Sequence, residues 1–412
     1  MAPVSHNRGR RSGRTAFAAA GTVVVLGLTG CSTLSGLLPG GGDEEEPSPE
    51  PTESVAAAPL LEEALADLAD YPALTATGQV AQTVGADVQD TSLTVADSGA
   101  TDGTIRANGN EGEIIDVDGR TYVRATEDFW LDRGVFGPDS DDFEDNWVRA
   151  SASQVGIEPG AVLAPPVLAE ILGGLEVEEE DAVKENLDGT LTYRIDLAGE
   201  RDQVWINAET DQIQRIAIEE LVPEGAETGP QVRLDLAQAD QPAVEELYAG
   251  LVTTVEEELA SSRDARIEVA WQGEPNMSCG EGPNCTWSGT AYDASGADGG
   301  SVSVRMDVTF TNDELGEQQC SDSGTLEAGG TLELSCGADY NNSESADTAD
   351  QERSVDGSAQ LSTRGMTDEE QESVLAALGE QREATLSGGA DDEESGEATD
   401  GESAEETEGS GN

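Results

Sequence analysis

The stretch "EIIDVDGRTYVRA", Glu113 to Ala125, sets the reading of this chain. Two runs of apolar and β-branched residues flank Asp118-Gly119, and an Asp-Gly pair supplies the positive φ angles that a two-residue hairpin turn demands. The segment therefore predicts two antiparallel strands. Before it, "ALTATGQVAQTV", "DTSLTVADS" and "DGTIRANG" alternate or carry β-branched residues and predict further strands. After it, "GTLTYRIDL", "DQVWINA", "QIQRIAIEE" and "PQVRLDLAQ" do the same. The two-residue period places Tyr193, Ile195 and Leu197 on one face, as it does Ile216 with Ile218, and Val232 with Leu234 and Leu236.

Helical periods interrupt the strands. Leu60, Leu61, Leu65 and Leu68 predict a short amphipathic helix that ends near Pro72. Past an aromatic loop with Phe129, Trp130, Phe136 and Trp147, the side chains of Val167, Leu168, Ile171, Leu172 and Leu175 line one face of a helix opened by Pro165-Pro166. Residues 59–240 are thus expected to form an antiparallel sheet with helices on one face. Val244, Leu247, Leu251, Val255 and Leu259 predict a connecting helix within 241–262.

Residues 263–363 differ in character. "ARIEVAWQG", "CTWSGTAYDAS", "GSVSVRMDVTFTN", "GTLEAGGTLELSC" and "SVDGSAQLSTRG" read as strands between Gly, Asn and Ser turns, the pattern of a small β-sandwich. Cys279, Cys285, Cys320 and Cys336 form an even set and predict two disulfides. Of the three connectivities, Cys279–Cys285 with Cys320–Cys336 is favoured, because each closes a short loop. A four-thiolate metal site lacks the paired C-x-x-C spacing. A capping box at Thr367 to Glu370 then opens a helix expected over 366–387 with Val374, Leu375 and Leu378. The expected class is α+β: a sheet domain followed by an all-β sandwich.

The N-terminus has its own logic. Arg8, Arg10, Arg11 and Arg14 precede an apolar run, no acid occurs in residues 1–30, and the run ends at Leu28-Thr29-Gly30-Cys31. That is the layout of a signal peptide. Its ending resembles the lipobox of bacterial lipoproteins, which implies that Cys31 is acylated and becomes the mature N-terminus. Since each buried methylene contributes about 0.8 kcal/mol, two or three acyl chains would hold the protein at the outer face of a cell membrane. Residues 31–58, rich in Gly, Pro, Ser and Glu, are expected to be a disordered linker, and 388–412 a disordered acidic tail.

Charge and composition exclude several activities. Cleavage before Cys31 removes four arginines and no acid, so the formal charge moves from −66 to −70. Nucleic acid and anionic lipid surfaces are repelled. The single histidine, His6, leaves with the leader, so the mature chain has no Ser-His-Asp or Cys-His nucleophile and no imidazole metal ligand. No G-x-S-x-G or glycine-rich phosphate loop occurs, and no carboxylate pair stands out among 86 acids. The acidic loop Asp139 to Asn146 lacks the glycine and terminal glutamate of a calcium loop. The expectation is a non-enzymatic protein with no cofactor and no metal.

Residues 59–240 resemble the LppX/LprAFG family of actinobacterial lipoproteins, within the wider LolA/LolB-like group. The resemblance rests on the lipobox, the N-terminal helix, "IIDVDGRTYVRA" with an aromatic loop ending "NWVRAS", "IEPGAVLAPPVLAEILGGL", and "VWINAETDQIQRIAI". Asp211-Gln212 stands where the family pattern has Gly-Leu-Pro. The resemblance implies a half-barrel closed by helices around an apolar cavity, and carriage of lipids or lipoglycans through the cell envelope. On that reading Leu168, Ile171, Leu172, Tyr193, Ile195, Ile216, Ile218 and Leu234 line the cavity; on the plainer one they are packed core. The alternative function is a surface interaction module in which the sandwich meets a protein partner that the sequence does not identify.

Overall fold

In a computed structural model the chain divides into two units, Met1–Thr52 and Glu53–Asn412. The structure describes residues 54–135, 143–280, 284–297, 299–313, 316–340 and 355–388. The signal segment, Cys31, most of the linker, Phe136, residues 139–142 of the acidic loop and the tail from 389 lie outside the described residues.

A short strand β1 (Val55–Ala56) leads into helix α1 (Ala57–Ala69). A meander follows: β2 (Ala73–Ala81), β3 (Gln89–Ala96), β4 (Thr101–Ala107), β5 (Asn110–Val117) and β6 (Arg120–Ala125). Helix α2 (Glu127–Asp132) and strand β7 (Trp147–Arg149) come next, then three short helices, α3 (Ala152–Val155), α4 (Pro159–Leu163) and α5 (Pro165–Gly173). A second meander comprises β8 (Asp181–Leu187), β9 (Thr190–Asp196), β10 (Gln203–Asn207), β11 (Ile213–Ile218) and β12 (Gln231–Gln238). Helix α6 (Gln241–Glu257) and the two-residue strand β13 (Arg263–Asp264) complete this part.

All thirteen strands belong to one open sheet, ordered β1-β8-β9-β10-β11-β12-β2-β3-β4-β5-β6-β7-β13. The hairpin expected at Asp118-Gly119 is present, with Ile114 opposite Val123 and Val117 opposite Arg120. Both turn residues have positive φ, 52° and 68°, as the primed turn requires. The departure at Asp211 is also accommodated, because Asp211 takes the left-handed conformation at φ 58° that short polar side chains tolerate. Asn207 Oδ1 accepts from the Glu209 amide at 2.9 Å and holds that turn.

The two meanders join where β12 runs antiparallel to β2. Gly78 lies at this seam, and a Cβ there would come within 2.2 Å of the Arg233 carbonyl oxygen. Only glycine permits so close an approach. Strand β8 has no counterpart in the sequence reading, since "DAVKENL" is too polar to show a strand pattern; its half-buried and exposed side chains reflect its place near the sheet edge.

Both faces of the sheet carry helices. On the inner face, α1, α2, α4 and α5 cover one continuous apolar cluster. On the outer face, α6 packs with helix α7 (Asp368–Gly388) over Ile115, Val117, Tyr122 and Trp147. This placement explains the consecutive isoleucines of the opening stretch: Ile114 faces in, Ile115 faces out, and both are buried. Along β12 the outer face is not so covered, and Arg233 and Asp235 alternate with buried Val232 and Leu234. Thus α6, expected as a connector, is a layer of the first domain, and the C-terminal helix returns to it. The capping box of α7 forms, with the Thr367 amide donating to Glu370 Oε2 at 2.8 Å and the Glu370 amide to Thr367 Oγ1 at 3.3 Å.

The sandwich lies between β13 and α7. One sheet joins β14 (Val269–Trp271), β15 (Asn276–Cys279), β16 (Asn284–Asp293) and β19 (Thr331–Asp339); the other is β18 (Gly316–Glu327), β17 (Ser301–Asn312) and β20 (Asp356–Arg364). Val302, Val304, Met306, Val308 and Phe310 share the buried face of β17, as their alternation predicts. "GTLEAGGTLELSC", read as one strand, is instead the end of β18 and the start of β19 joined by a turn at 328–330, where Gly329 adopts φ 66°. The disulfides pair as favoured, Cys279 with Cys285 and Cys320 with Cys336. The second ties the two sheets together.

Candidate functional site

The inner layer of the first domain gathers most of the nominated cavity residues. Helix α5 supplies Leu168 and Leu172, both fully buried, with Ile171 half-buried at the edge of the same cluster. Their spacing of three and four turns one stripe of α5 toward the sheet. From the sheet come Ile195 on β9, Ile216 and Ile218 on β11, and Leu234 on β12, none more than 1 % exposed. Cross-strand pairing sets Ile216 directly opposite Leu234. Tyr193 stands apart: it is half-buried, outside the cluster, with the Lys184 ammonium 5.8 Å from its ring centre on the neighbouring strand.

Residues not nominated complete the layer. Leu61, Leu65 and Leu68 of α1 face the same space, and Val204 and Ile206 of β10 extend its floor. The signal for Val204 and Ile206 is their alternation with Trp205. At the far end Phe129, Trp130 and Phe143 form an edge-to-face cluster, with centroids 5.4 and 5.9 Å apart. Trp130 Nε1 is buried there with no hydrogen-bond partner among the described residues. An unpaired donor in an apolar layer is costly, and an ester or carboxyl oxygen beside it would relieve that cost.

Each aliphatic side chain in the layer contributes about 1.5–3 kcal/mol by leaving water. The layer can therefore serve as solid core, or as a surface against which an apolar chain is exchanged for neighbouring side chains. An open groove of about 420 Å³ meets the layer at one rim, where Val80, Ile218 and Val232 border it beside Trp205, Arg201 and Arg233. The Trp205 indole donates to Glu185 Oε1 at 2.5 Å and is held across the outer face. Among the described residues no group of three or more His, Cys, Asp or Glu side chains is placed to hold a metal ion. No described helix is long and apolar enough to cross a membrane.

The arrangement defines a protein of α+β class, an open antiparallel sheet with an apolar inner layer and an appended disulfide-bonded sandwich. No protein-family profile matches the chain, and no curated protein matches it in sequence. Among solved structures it is similar to LprF from Mycobacterium bovis, at 13 % identity over 45 % of this chain and 93 % of that one, with a TM-score of 0.28. MucB is similar at 14 % identity over 68 % of this chain and 92 % of its own, with a TM-score of 0.24. The Pseudomonas aeruginosa MucA/MucB complex gives 12 %, 67 %, 93 % and 0.24 for the same quantities. At these TM-scores the likeness does not establish a shared fold.

Proposed function

We propose that this protein is a lipid-anchored lipoprotein on the extracytoplasmic face of the cell membrane. Its first domain binds a hydrophobic ligand, a lipid or lipoglycan, for transport or storage in the envelope, and it performs no catalysis. The observation that carries this reading is the apolar layer held between the sheet and the paired helices α1 and α5. Leu168, Ile171 and Leu172 would contact the ligand from above, and Ile195, Ile216, Ile218 and Leu234 from below, with Tyr193 at the margin. Because these side chains are buried against one another, a ligand gains access only when α1 and α5 move away from the sheet. The resemblance of Leu28 to Cys31 to a lipobox supports the anchor.

The test uses the mature chain with Cys31→Ser, purified without detergent. Co-purifying lipid in mass spectra and saturable uptake of a fluorescent fatty acid are expected. Absence of both overturns the proposal.

A further inference from the structure

A second cleft, of about 520 Å³, opens on the outer side of the molecule where the first sheet, the sandwich and the start of α7 converge. None of its lining residues belongs to the inner apolar layer. Its charge contrasts with the rest of the chain. Arg120, Arg149, Arg266 and Arg364 line it, in a protein with 86 acids and a formal charge of −66.

The two carboxylates in the cleft are already committed. Asp264, buried, accepts a fork from Arg266, Nε to Oδ1 at 3.0 Å and Nη2 to Oδ2 at 2.7 Å. Glu370 caps α7 through Thr367 and lies 3.7 Å from Arg120, which also reaches Asp118 at 3.2 Å. The guanidinium groups of Arg149 and Arg364 make no hydrogen bond and no ion pair with any described residue, although the backbone of each is paired within its strand. Burial pushes the Arg149 guanidinium to a lower pKa and the nearby Arg266 adds to this, while Asp264 acts in the opposite direction without forming an ion pair with it. Ser301, Ser303 and Thr325 place hydroxyls along the same wall.

We propose that this cleft binds a small phosphate ester of a polyol, of the glycerol phosphate kind. Two unengaged guanidinium forks suit the oxygens of a phosphate, which accept paired N–H bonds. The serine and threonine hydroxyls suit the polyol, and the volume is that of a small-molecule site rather than of a bare ion. The negative charge of the rest of the chain does not forbid this, because salt screens exposed charges within about 8–10 Å. The same glycerol phosphate chemistry occurs free in solution and in phosphatidylglycerol headgroups; the chain's charge favours the soluble form over a vesicle surface.

Isothermal titration of the Cys31→Ser chain compares glycerol 3-phosphate, inorganic phosphate and phosphatidylglycerol vesicles. Saturable binding of glycerol 3-phosphate is expected, with affinity falling about tenfold or more in Arg149→Gln and in Arg364→Gln. The ligand should also raise the melting temperature of the parent and not of the double variant. Vesicle binding lost in the same variants would support the cleft and assign the headgroup as its source. If Arg149→Gln does not fold, Arg364→Gln and Ser303→Ala decide. No saturable binding in any arm, binding of inorganic phosphate alone, or binding undiminished by the substitutions overturns the proposal.

Discussion

Tyr122 donates its hydroxyl to the Gly365 carbonyl at 2.8 Å, across 243 residues of sequence. The bond fastens the first sheet to the segment that leaves the sandwich and enters α7. Tyr122 is fully buried, so Tyr122→Phe keeps the packing and strands a buried carbonyl. A loss of about 1–3 kcal/mol is expected in urea unfolding. An unchanged midpoint would show that the junction holds without this bond.

Gly365 itself admits no side chain, since a Cβ would meet the Arg263 carbonyl oxygen at 2.4 Å and Ser262 Oγ at 2.6 Å. Gly365→Ala should destabilise the fold and, because the strain falls at the junction, should increase proteolysis between the sandwich and α7. Limited digestion compared with the parent checks this.

Asp116 is 3 % exposed, and burial pushes its pKa up to about 6 against the hydrogen bonds of Thr121 Oγ1 and the Gly160 and Arg120 amides. The folded state therefore holds the proton more tightly than the unfolded chain. The stability linked to this group is full below about pH 4 and is lost as pH rises through 6. Asp116→Asn cannot ionise. Its stability relative to the parent should thus rise by about 2–2.5 kcal/mol between pH 4 and pH 7, read from paired urea titrations. A difference that stays flat with pH refutes the assignment.

The disulfides should contribute unequally. Cys320–Cys336 closes a separation of 16 residues and links the two sheets, whereas Cys279–Cys285 spans 6 within one hairpin. Chain-entropy arguments give the longer loop about 3 kcal/mol. Replacing Cys320 and Cys336 with serine should lower the melting temperature more than replacing Cys279 and Cys285.

Leu168→Ala separates core from binding layer. Removing this fully buried side chain should cost about 2–5 kcal/mol. If the layer accepts an acyl chain, added fatty acid should restore part of the lost melting temperature, as mass action demands. No restoration would mark Leu168 as packing alone.

The sheet was legible where local chemistry dictates it. Asp118-Gly119 selects its turn through positive φ, and the alternation in β12 and β17 assigns buried faces without knowledge of any partner. Segments with weak local signals were not legible. Strand β8 is polar, and the Gly329-Gly330 turn lies inside what reads as one strand. The apolar stripe of α6 showed that the helix must bury one face, not that the surface it covers is the outer side of the first sheet.

The candidate layer divides the same way. Leu168, Ile195, Ile216 and Leu234 can be assigned to apolar faces from periodicity, since side-chain direction follows from φ and ψ at each residue. The arginine cleft cannot, because Arg120, Arg149, Arg266 and Arg364 come from separate elements with no shared spacing. By itself, then, the amino-acid order determined the class of fold and the apolar faces of most strands, and it favoured one of three disulfide connectivities. Which surfaces meet, and which guanidinium groups are left outside any ion pair, was decided only by tertiary packing, where contacts between distant segments outweigh local preference.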